Sequence, residues 1–439
     1  MRITKLYIKS YKNLQEFEWE LNPESPVAVI VGKNASGKSN LLEAILLIFA
    51  QVRTNKTSKD FQFEIQYQDI EQNLIILKNE GNDFTCTKDS VPIDVNKVFP
   101  KQIVAYYAGI TSRMEKLVRQ YRKEQNKTQD FDIVYTQPIH FKFALLALLG
   151  SRFDTVKNDL LLGKFKIESF IRFAIRIQKP SYSLSKEANK DNFWLAPTNL
   201  KIFFQTLVEC GEVKESLADY TITFQKEDMK KLMDSPIVND ESSNLFELLS
   251  ESYANEFIQN VDIRFKKEGV LENLRFDDLS EGEKQKIGIR GIVELFLGKE
   301  TLFLLDEPDA FAHPRWQWEF VPDFVEVFKE GPQSSQIIFV THSPLVLSTV
   351  RDNAFMMENG GIKPIYGTYG QDVTFSLAKM GADDRLEKVQ KKLDAYFAFL
   401  QSGMSKNDEA KELKKELENI LGINHPELLR ASVIETLYE

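Results

Sequence analysis

The sequence predicts an α/β fold with a mainly parallel sheet, an antiparallel β meander, a helical insert and a helical tail. Three observations predict it. The apolar run Val27–Val31 leads into a glycine-containing loop and then into the helical pattern of residues 40–50. Residues 301–305 and 336–340 are short, fully apolar runs, typical of strands buried on both faces of a parallel sheet. Short alternating runs between turn signals fill most of residues 1–110, which indicates antiparallel strands.

Composition bounds the class of protein. The chain has 439 residues, 43% of them hydrophobic and 28% charged, which is ordinary for a soluble globular protein of two or three domains. Its net charge of −9 argues against a surface that binds nucleic acid all over. Cys86 and Cys210 lack metal or redox spacing and suit a reducing compartment. Because no run resembles a secretory signal or a membrane span, we expect a cytoplasmic protein without membrane contact.

We predict four segments along the chain. Residues 1–110 form an N-terminal lobe, with strands near residues 3–8, 61–67, 73–78, 83–87 and 103–108. Residues 111–255 form a helical insert, with helices expected at 113–127, 141–149 and 167–177. Residues 256–370 return to α/β as the C-terminal lobe. Residues 371–439 form a helical tail with two apolar stripes, made by Leu386, Val389, Leu393, Phe397 and Leu400 and by Leu413, Leu417 and Ile420, before a third helix near Pro426.

The insert carries a local excess of positive charge. Residues 111–190 contain 16 Lys and Arg against 8 Asp and Glu, in a chain that is acidic overall. Such an asymmetry is a candidate surface for DNA or an acidic partner. A solvated face of a helical insert explains it as well, and no aromatic residues are interleaved as in single-strand binders.

The loop after the first buried strand fits the phosphate-loop pattern G-x-x-x-x-G-K-[ST]. In this setting the backbone N–H groups and the helix N-terminus form a nest for phosphates. Lys38 would reach the β- and γ-phosphates, and the Ser39 hydroxyl would ligate Mg²⁺. We therefore predict ATP and Mg²⁺ as cofactors, with the nucleotide-binding residues Gly32, Lys33, Asn34, Ala35, Ser36, Gly37, Lys38, Ser39 and Asn40.

Three later segments define the class of nucleotide-binding protein. The segment L-S-E-G-E-K-Q stands before a helix and contains Ser280 and Gly282, the apolar run 301–305 ends at Asp306 and Glu307, and His342 follows the next strand. In order and spacing, these elements and the phosphate loop resemble the Walker A, signature, Walker B and H-switch motifs of ABC-class ATPases.

The resemblance implies a role for each residue. Asp306 would hold Mg²⁺ through water, and Glu307 would be the general base or would position the attacking water. His342 would hydrogen-bond the γ-phosphate, so that Lys38, Glu307 and His342 form the predicted catalytic set. The alternatives are a strand-end turn with two solvated acids and an ordinary strand-end histidine.

The signature residues imply a second subunit. In ABC-class ATPases this segment contacts the γ-phosphate bound by another copy, so Ser280, Gly282 and Glu283 would complete a nucleotide site in trans. ATP would then hold two heads together, and this arrangement requires a homo-oligomer. Ser280 is also suited to cap a helix with Glu283 three residues later, a capping box. Both interpretations can hold at once.

The distance of roughly 240 residues between the phosphate loop and the signature indicates which branch of the ABC-class ATPases the chain resembles. This gap resembles the RecF, SMC and OLD-type ATPases, as do Tyr11-Lys12-Asn13-Leu14 and the segment from Asp306 to His313 and Pro314. The insert lacks the heptads of an SMC rod, and the last 95 or so residues show no acidic nuclease cluster. The nearest resemblance is to stand-alone anti-phage ATPases of the Septu type (PtuA-like), with the PARIS-type ATPase next. It implies a sensor or regulator with a separate nuclease partner of the HNH family.

Two other functions stay open. A RecF-like DNA-repair ATPase would bind DNA directly through the basic insert. An ATP-binding assembly scaffold with little turnover is favoured by one departure from the ABC pattern, because Gln102 precedes its predicted strand whereas a Q-loop glutamine should follow it.

Overall fold

The computed structural model describes residues 1–81, 83–95, 100–109, 113–124, 132–150, 156–183, 185, 187–216, 219–239, 241–330, 335–350, 352–365, 386–401, 407–421, 428, 431–432 and 435. They form two compact units, Met1–Tyr366 and Gly367–Glu439.

A seven-stranded sheet organises the first unit. Its neighbouring strands are parallel except at one edge, where the outermost strand runs antiparallel. The strands are, across the sheet, β18 (Gly361–Pro364), β17 (Ala354–Glu358), β3 (Val27–Val31), β16 (Gln336–Thr341), β15 (Thr301–Asp306), β8 (Gln102–Tyr107) and β9 (Asp132–Thr136).

Both faces of this sheet are buried, as the unbroken apolar runs predict. Val29 and Val31 of β3 belong to one hydrophobic cluster, whereas Ala28 and Ile30 belong to another on the opposite face. The alternation follows the two-residue period of a strand. Other elements therefore cover both faces of the sheet, and the candidate functional residues lie where the parallel strands end.

The six-stranded antiparallel sheet confirms the predicted meander. Together with helix α1 (Lys38–Thr54) it packs on the face that contains Ala28 and Ile30. Its order is β2 (Leu14–Glu20), β1 (Arg2–Tyr11), β4 (Phe63–Gln68), β5 (Leu74–Asn79), β6 (Phe84–Lys88) and β7 (Val91–Pro92).

The insert differs from its prediction. The expected helix at 167–177 is wrong, because Ile167–Gln178 forms strand β10 in a five-stranded antiparallel sheet. Phe173, Ile175 and Ile177 alternate inward with a period of two, and strands pair along both sides of β10. The order is β11 (Glu212–Glu215), β12 (Asp219–Phe224), β10, β13 (Ile258–Lys267) and β14 (Leu274–Arg275). The segment 111–255 is thus mixed α/β rather than helical, and it also supplies β9 to the parallel sheet.

The remaining helices of the first unit include those predicted near 113–127 and 141–149. The apolar helix at Pro138–Gly150 is buried along most of its length and packs closely on the helix that follows the signature: a side chain at Gly288 would collide with Phe141. The bounds are α2 (Arg113–Glu124), α3 (Pro138–Gly150), a π-helix (Val156–Lys164), α4 (Thr198–Cys210), α5 (Lys226–Met233), α6 (Ser242–Ala254), α7 (Glu281–Phe296) and α8 (Pro314–Glu330), with 3₁₀ turns at Phe193–Leu195, Phe276–Asp278, Leu297–Lys299 and Pro344–Thr349.

The second unit contains α9 (Leu386–Gln401) and α10 (Asp408–Leu421). Leu393, Leu400 and Leu417 are buried in one cluster, with Phe397 and Leu413 packed against it, as the apolar stripes predict. The third helix expected near Pro426 lies outside the described residues. Within the described part of the chain, no helix has the length and apolar character needed to cross a membrane.

Candidate functional site

The parallel register brings the predicted motifs to one edge of the sheet. Val31 at the end of β3 pairs with Thr341 at the end of β16, and Val340 pairs with Asp306 at the end of β15. The residues that follow these strands therefore emerge side by side. Sequence alone predicted the strands, and their pairing puts the phosphate loop, the acidic pair and His342 in one place.

The backbone conformation of the phosphate loop allows a ligand to approach it closely. Gly37 has a φ of 114° and Ala35 a φ of 64°, and the left-handed region at Gly37 favours glycine. Helix α1 begins directly after it at Lys38, so the unpaired N–H groups of its first turn face the loop. The buried Lys38 Nζ donates to the carbonyl oxygens of Gly32 (2.8 Å) and Lys33 (3.1 Å). This loop has the form of an anion nest with a lysine at its centre.

Asn13, Asn40 and Gly360 support the phosphate loop through hydrogen bonds, and we call these three residues the brace. The motifs in the sequence did not predict this contact. Asn13 Nδ2 donates to the Ser36 carbonyl (3.1 Å), and Asn40 Nδ2 donates to Asn13 Oδ1 (2.7 Å). The N–H of Gly360 donates to the same Ser36 carbonyl (2.9 Å). Gly360 has a φ of 81°, and a Cβ there would lie 2.0 Å from the Asn13 carbonyl oxygen. Asn13 and Gly360, far apart in sequence, together define the shape of the loop.

Asp306 is a buried carboxylate that the described protein leaves without hydrogen bonds. It is 1% exposed, and no described group makes a hydrogen bond of good geometry to either carboxylate oxygen. Burial raises the pKa of Asp306 to about 7, while the neighbouring Ser39 hydroxyl and the Lys38 charge act in the opposite direction. An acceptor left unpaired in the interior is costly, so such a group points to a ligand.

Glu307 and His342 form a contact pair beside Asp306. Glu307 Oε2 lies 2.5 Å from His342 Nδ1 and accepts a hydrogen bond from the His342 backbone N–H at 3.3 Å. Glu307 has a φ of 54°, and its own N–H donates to the Val340 carbonyl at 2.8 Å. The histidine side chain is 60% exposed and the glutamate 18%. The pair thus connects the ends of two neighbouring strands and presents one imidazole to solvent.

The signature segment caps helix α7. Ser280 is the N-cap and Glu283 the third helical residue, and the capping box is complete: Ser280 Oγ accepts from the Glu283 N–H (3.3 Å), and Glu283 Oε2 accepts from the Ser280 N–H (3.0 Å). Glu283 is also paired with Lys267. Burial raises the pKa of Glu283, but its contacts with Lys267 and Ser280 lower it more, so the net shift is downward. The carboxylate of Glu283 is thus already used within its own chain.

Gln285 connects the signature helix to Glu307, a contact that sequence reasoning did not single out. Its Nε2 donates to the Tyr106 hydroxyl (3.1 Å) and to the Glu307 carbonyl (3.4 Å), and its Oε1 accepts from the Phe311 N–H (3.2 Å). A Cβ on Gly282 would lie 2.5 Å from the Phe311 carbonyl oxygen. Among the described residues, no hydrogen bond of the signature segment goes to the phosphate loop.

Gln102 lies at the wrong end of its strand for a Q-loop. It begins β8 and pairs with Thr301, whereas Asp306 pairs with Tyr107 at the other end. Arg113, at the start of α2, is closer to the site, since its Nη1 donates to Asn40 Oδ1 at 3.4 Å. The structure therefore agrees with the departure noted in the sequence.

Known proteins provide an independent comparison. A model of the family described as "AAA ATPase domain" matches residues 1–347. The chain belongs to this AAA ATPase domain family. Its architecture, an antiparallel meander and helix α1 packed on a mainly parallel sheet that holds the phosphate loop, is the α/β fold that the sequence predicts. It is an ATP-binding protein and an ATPase.

Individual relatives of this ATPase are distant or match over short segments. It is 22% identical over 482 aligned residues to the Retron Vc95 probable ATPase of Vibrio cholerae serotype O1 biovar El Tor, covering 94% of this chain and 86% of that protein. It is 43% identical over 60 residues to the DNA replication and repair protein RecF of Bacillus mycoides (strain KBAB4), which is 14% of this chain and 15% of RecF. Among solved structures, an SmcHead bound to the C-winged helix domain of ScpA aligns at 14% identity with a TM-score of 0.38, covering 85% of this chain and 100% of that one.

The brace at Asn13 predicts an effect on nucleotide affinity. Replacing Asn13 with Ala removes two side-chain hydrogen bonds that shape the loop. We expect the Kd for ATP to rise roughly 5- to 30-fold, since each bond contributes about 1 kcal/mol. Titration of a fluorescent ATP analogue measures it. Gln15→Ala is the control, because Gln15 only bonds the Lys12 carbonyl at the surface. Equal affinity of the Asn13 and Gln15 variants would show that the brace is dispensable.

Proposed function

We propose that this ATPase hydrolyses ATP at the edge of the parallel sheet with Glu307 and His342 acting on the γ-phosphate. The nucleotide phosphates bind the loop from Gly32 to Asn40, where Lys38 exchanges its two backbone carbonyl partners for phosphate oxygens. Glu307 orients and deprotonates the attacking water, and His342 hydrogen-bonds the γ-phosphate. The observation that carries this proposal is the 2.5 Å contact between Glu307 and His342 beside the buried Asp306.

Mg²⁺ fits the donors at this edge. Asp306 offers two buried oxygens without hydrogen bonds, and Ser39 adjoins it. The described residues contain no cluster of three or more His, Cys, Asp or Glu side chains that could hold a cation alone. Mg²⁺ commonly binds through one or two side chains together with nucleotide phosphates and water. Ser39 and Asp306 would hold it there, and it would supply charge neutralisation for the triphosphate.

We propose that two copies of the chain share each nucleotide. Ser280 is exposed at the N-terminus of α7, and its segment makes no hydrogen bond to the phosphate loop among the described residues. A second copy can therefore present its Ser280, Gly282 and Glu283 segment to the γ-phosphate while the capping box stays intact. Residues 1–110 and 256–370, with strand β9 from the insert, make up the head in this proposal, and the rest of residues 111–255 and residues 371–439 dock partners.

The biological role we propose is that of a cytoplasmic sensor or regulator in an anti-phage defence complex, with a separate nuclease as effector. Two things support it: the resemblance of the motifs to Septu-type ATPases, and the similarity to the Retron Vc95 probable ATPase over nearly the whole chain. The nuclease we expect is of the HNH family.

Direct DNA binding stays a prediction. Part of the basic stretch lies outside the described residues, namely 111–112, 125–131, 151–155, 184 and 186, and the match to RecF covers 14% of the chain. A DNA shift with a steep salt dependence would favour the RecF-like role.

Hydrolysis should depend on Glu307. Glu307→Gln keeps the shape but removes the base, and we expect kcat for phosphate release to fall at least about 100-fold while ATP still binds. Glu319→Gln is the matched control, since Glu319 forms an ion pair with Arg315 on α8 and its side chain is partly exposed. Equal turnover by the wild type and Glu307→Gln would sink the hydrolytic mechanism.

Shared sites predict complementation between two inactive variants. Lys38→Ala disables the phosphate loop, and Ser280→Asp keeps an N-cap residue but places a carboxylate near the partner's γ-phosphate. Each alone should be inactive. Their equimolar mixture should recover up to about a quarter of wild-type activity, because half of the random dimers are mixed and each of these keeps one intact site. A mixture as inactive as its components would argue that each chain works alone.

The defence role is tested in cells that carry this chain with its neighbouring genes. We expect the wild type to reduce phage plaque counts by orders of magnitude, and Glu307→Gln to change this protection, whereas Glu319→Gln should not. Affinity purification from the same cells should recover a nuclease subunit. Equal plaque counts with and without the chain, and no co-purified nuclease, would contradict the role.

A further inference from the structure

Four residues next to the Glu307–His342 pair form a closed ring of hydrogen bonds through their side chains and two backbone groups. The Thr341 hydroxyl donates to Asp309 Oδ2 (3.1 Å) and accepts from the Ser343 N–H (2.9 Å). The Ser343 hydroxyl donates to Gln317 Oε1 (2.9 Å), and Gln317 Nε2 donates to the Asp309 carbonyl (3.3 Å). The ring joins the loop after β15, the end of β16 and helix α8.

This ring encloses the position of His342. Thr341 and Ser343 are its two sequence neighbours, and both are tied to the ring. Asp309 follows Glu307 by two residues. The hydrogen bond between Asp309 and Thr341 therefore connects the segment next to Glu307 with the segment next to His342. Rotation of the His342 backbone would break at least one of these bonds.

The Asp309–Thr341 side of the ring is buried, so its bonds are not readily exchanged for water. Asp309 is 1% exposed and Thr341 0%. A carboxylate accepting from a hydroxyl forms a strong, charge-assisted bond. Burial raises the pKa of Asp309 to about 6, and Thr341 counteracts part of that rise. The protein thus keeps an unfavourably buried acid three residues after Asp306, which a purely structural position does not require.

We propose that Asp309 and Thr341 are positioning residues that hold His342 against Glu307 in the geometry needed for hydrolysis. The inference rests on the proposed catalytic roles of Glu307 and His342. The ring acts on the orientation of the imidazole and leaves the phosphate loop alone. Its loss should therefore reduce kcat and change KM for ATP little, because a displacement of about 1 Å at the reacting groups can cost about 100-fold in rate.

The decisive variant is Thr341→Val, which keeps shape and removes the hydroxyl. We expect kcat to fall about 10- to 100-fold with KM for ATP within about threefold of wild type. Thr301→Val is the matched control. Thr301 is equally buried, bonds the Phe296 carbonyl at 2.9 Å and lies at the opposite end of β15. It should lower the melting temperature without lowering kcat.

Two further variants guard against simple misfolding. Asp309→Asn keeps an oxygen acceptor for Thr341, so it should retain kcat within about fivefold, whereas Asp309→Ala should match Thr341→Val. Gln317→Met breaks the far side of the ring and should lower kcat several-fold. It provides the test if the other variants do not fold. If Thr341→Val and Gln317→Met both keep the wild-type kcat, or if kcat and KM change together in proportion to lost stability, the positioning role is wrong.

Glu307→Gln separates this outcome from failure of the catalytic proposal. If Glu307→Gln is inactive while folded Thr341→Val is fully active, only the positioning role falls. If Glu307→Gln itself turns over ATP normally, the catalytic proposal falls, and the positioning role falls with it.

Discussion

The parallel register of β3, β16 and β15 is the constraint on which the rest of the structure depends. Because these strands run in the same direction and end at the same level, the residues after Val31, Asp306 and Thr341 emerge together. The hydrophobic layers on both faces fix this register, since a shift by one residue would turn each strand's side chains to the opposite face. The site therefore inherits its geometry from the core.

At that edge, packing and function work against each other. Lys38, Asp306 and Asp309 are charged side chains that the fold buries, and Asp306 has no hydrogen bond among the described residues. Buried charges without partners destabilise a protein. A bound cation would supply the missing partner of Asp306, and nucleotide phosphates would replace the two carbonyl partners of Lys38, which couples ligand binding to stability. Asp309 Oδ2 instead accepts a hydrogen bond from Thr341 within the chain, while Asp309 Oδ1 has no hydrogen bond among the described residues.

Much of the fold and of the candidate site could be predicted because the signals are local. The loop from Gly32 to Ser39 and the apolar strands around it are contiguous patterns, and the Ser280–Glu283 capping box is written within four residues. The helix expected at 167–177 was wrong, although every second residue from Phe173 to Ile177 is apolar. The alternation is a strand signal, but the pairing with β12 and β13 that makes it decisive comes from residues about 40 to 100 positions away.

The sequence by itself determined the chemistry: a lysine and glycines for phosphate, two carboxylates after an apolar strand and a histidine after the next. Only the tertiary structure decided which groups act together. Asn13 and Gly360 meet at the Ser36 carbonyl, Gln285 reaches the Glu307 carbonyl, and Asp309 reaches Thr341 across 32 residues. The physical reason is that a hydrogen bond depends on distance and direction between two groups. A motif specifies the groups, whereas the packed sheet specifies the distances between them.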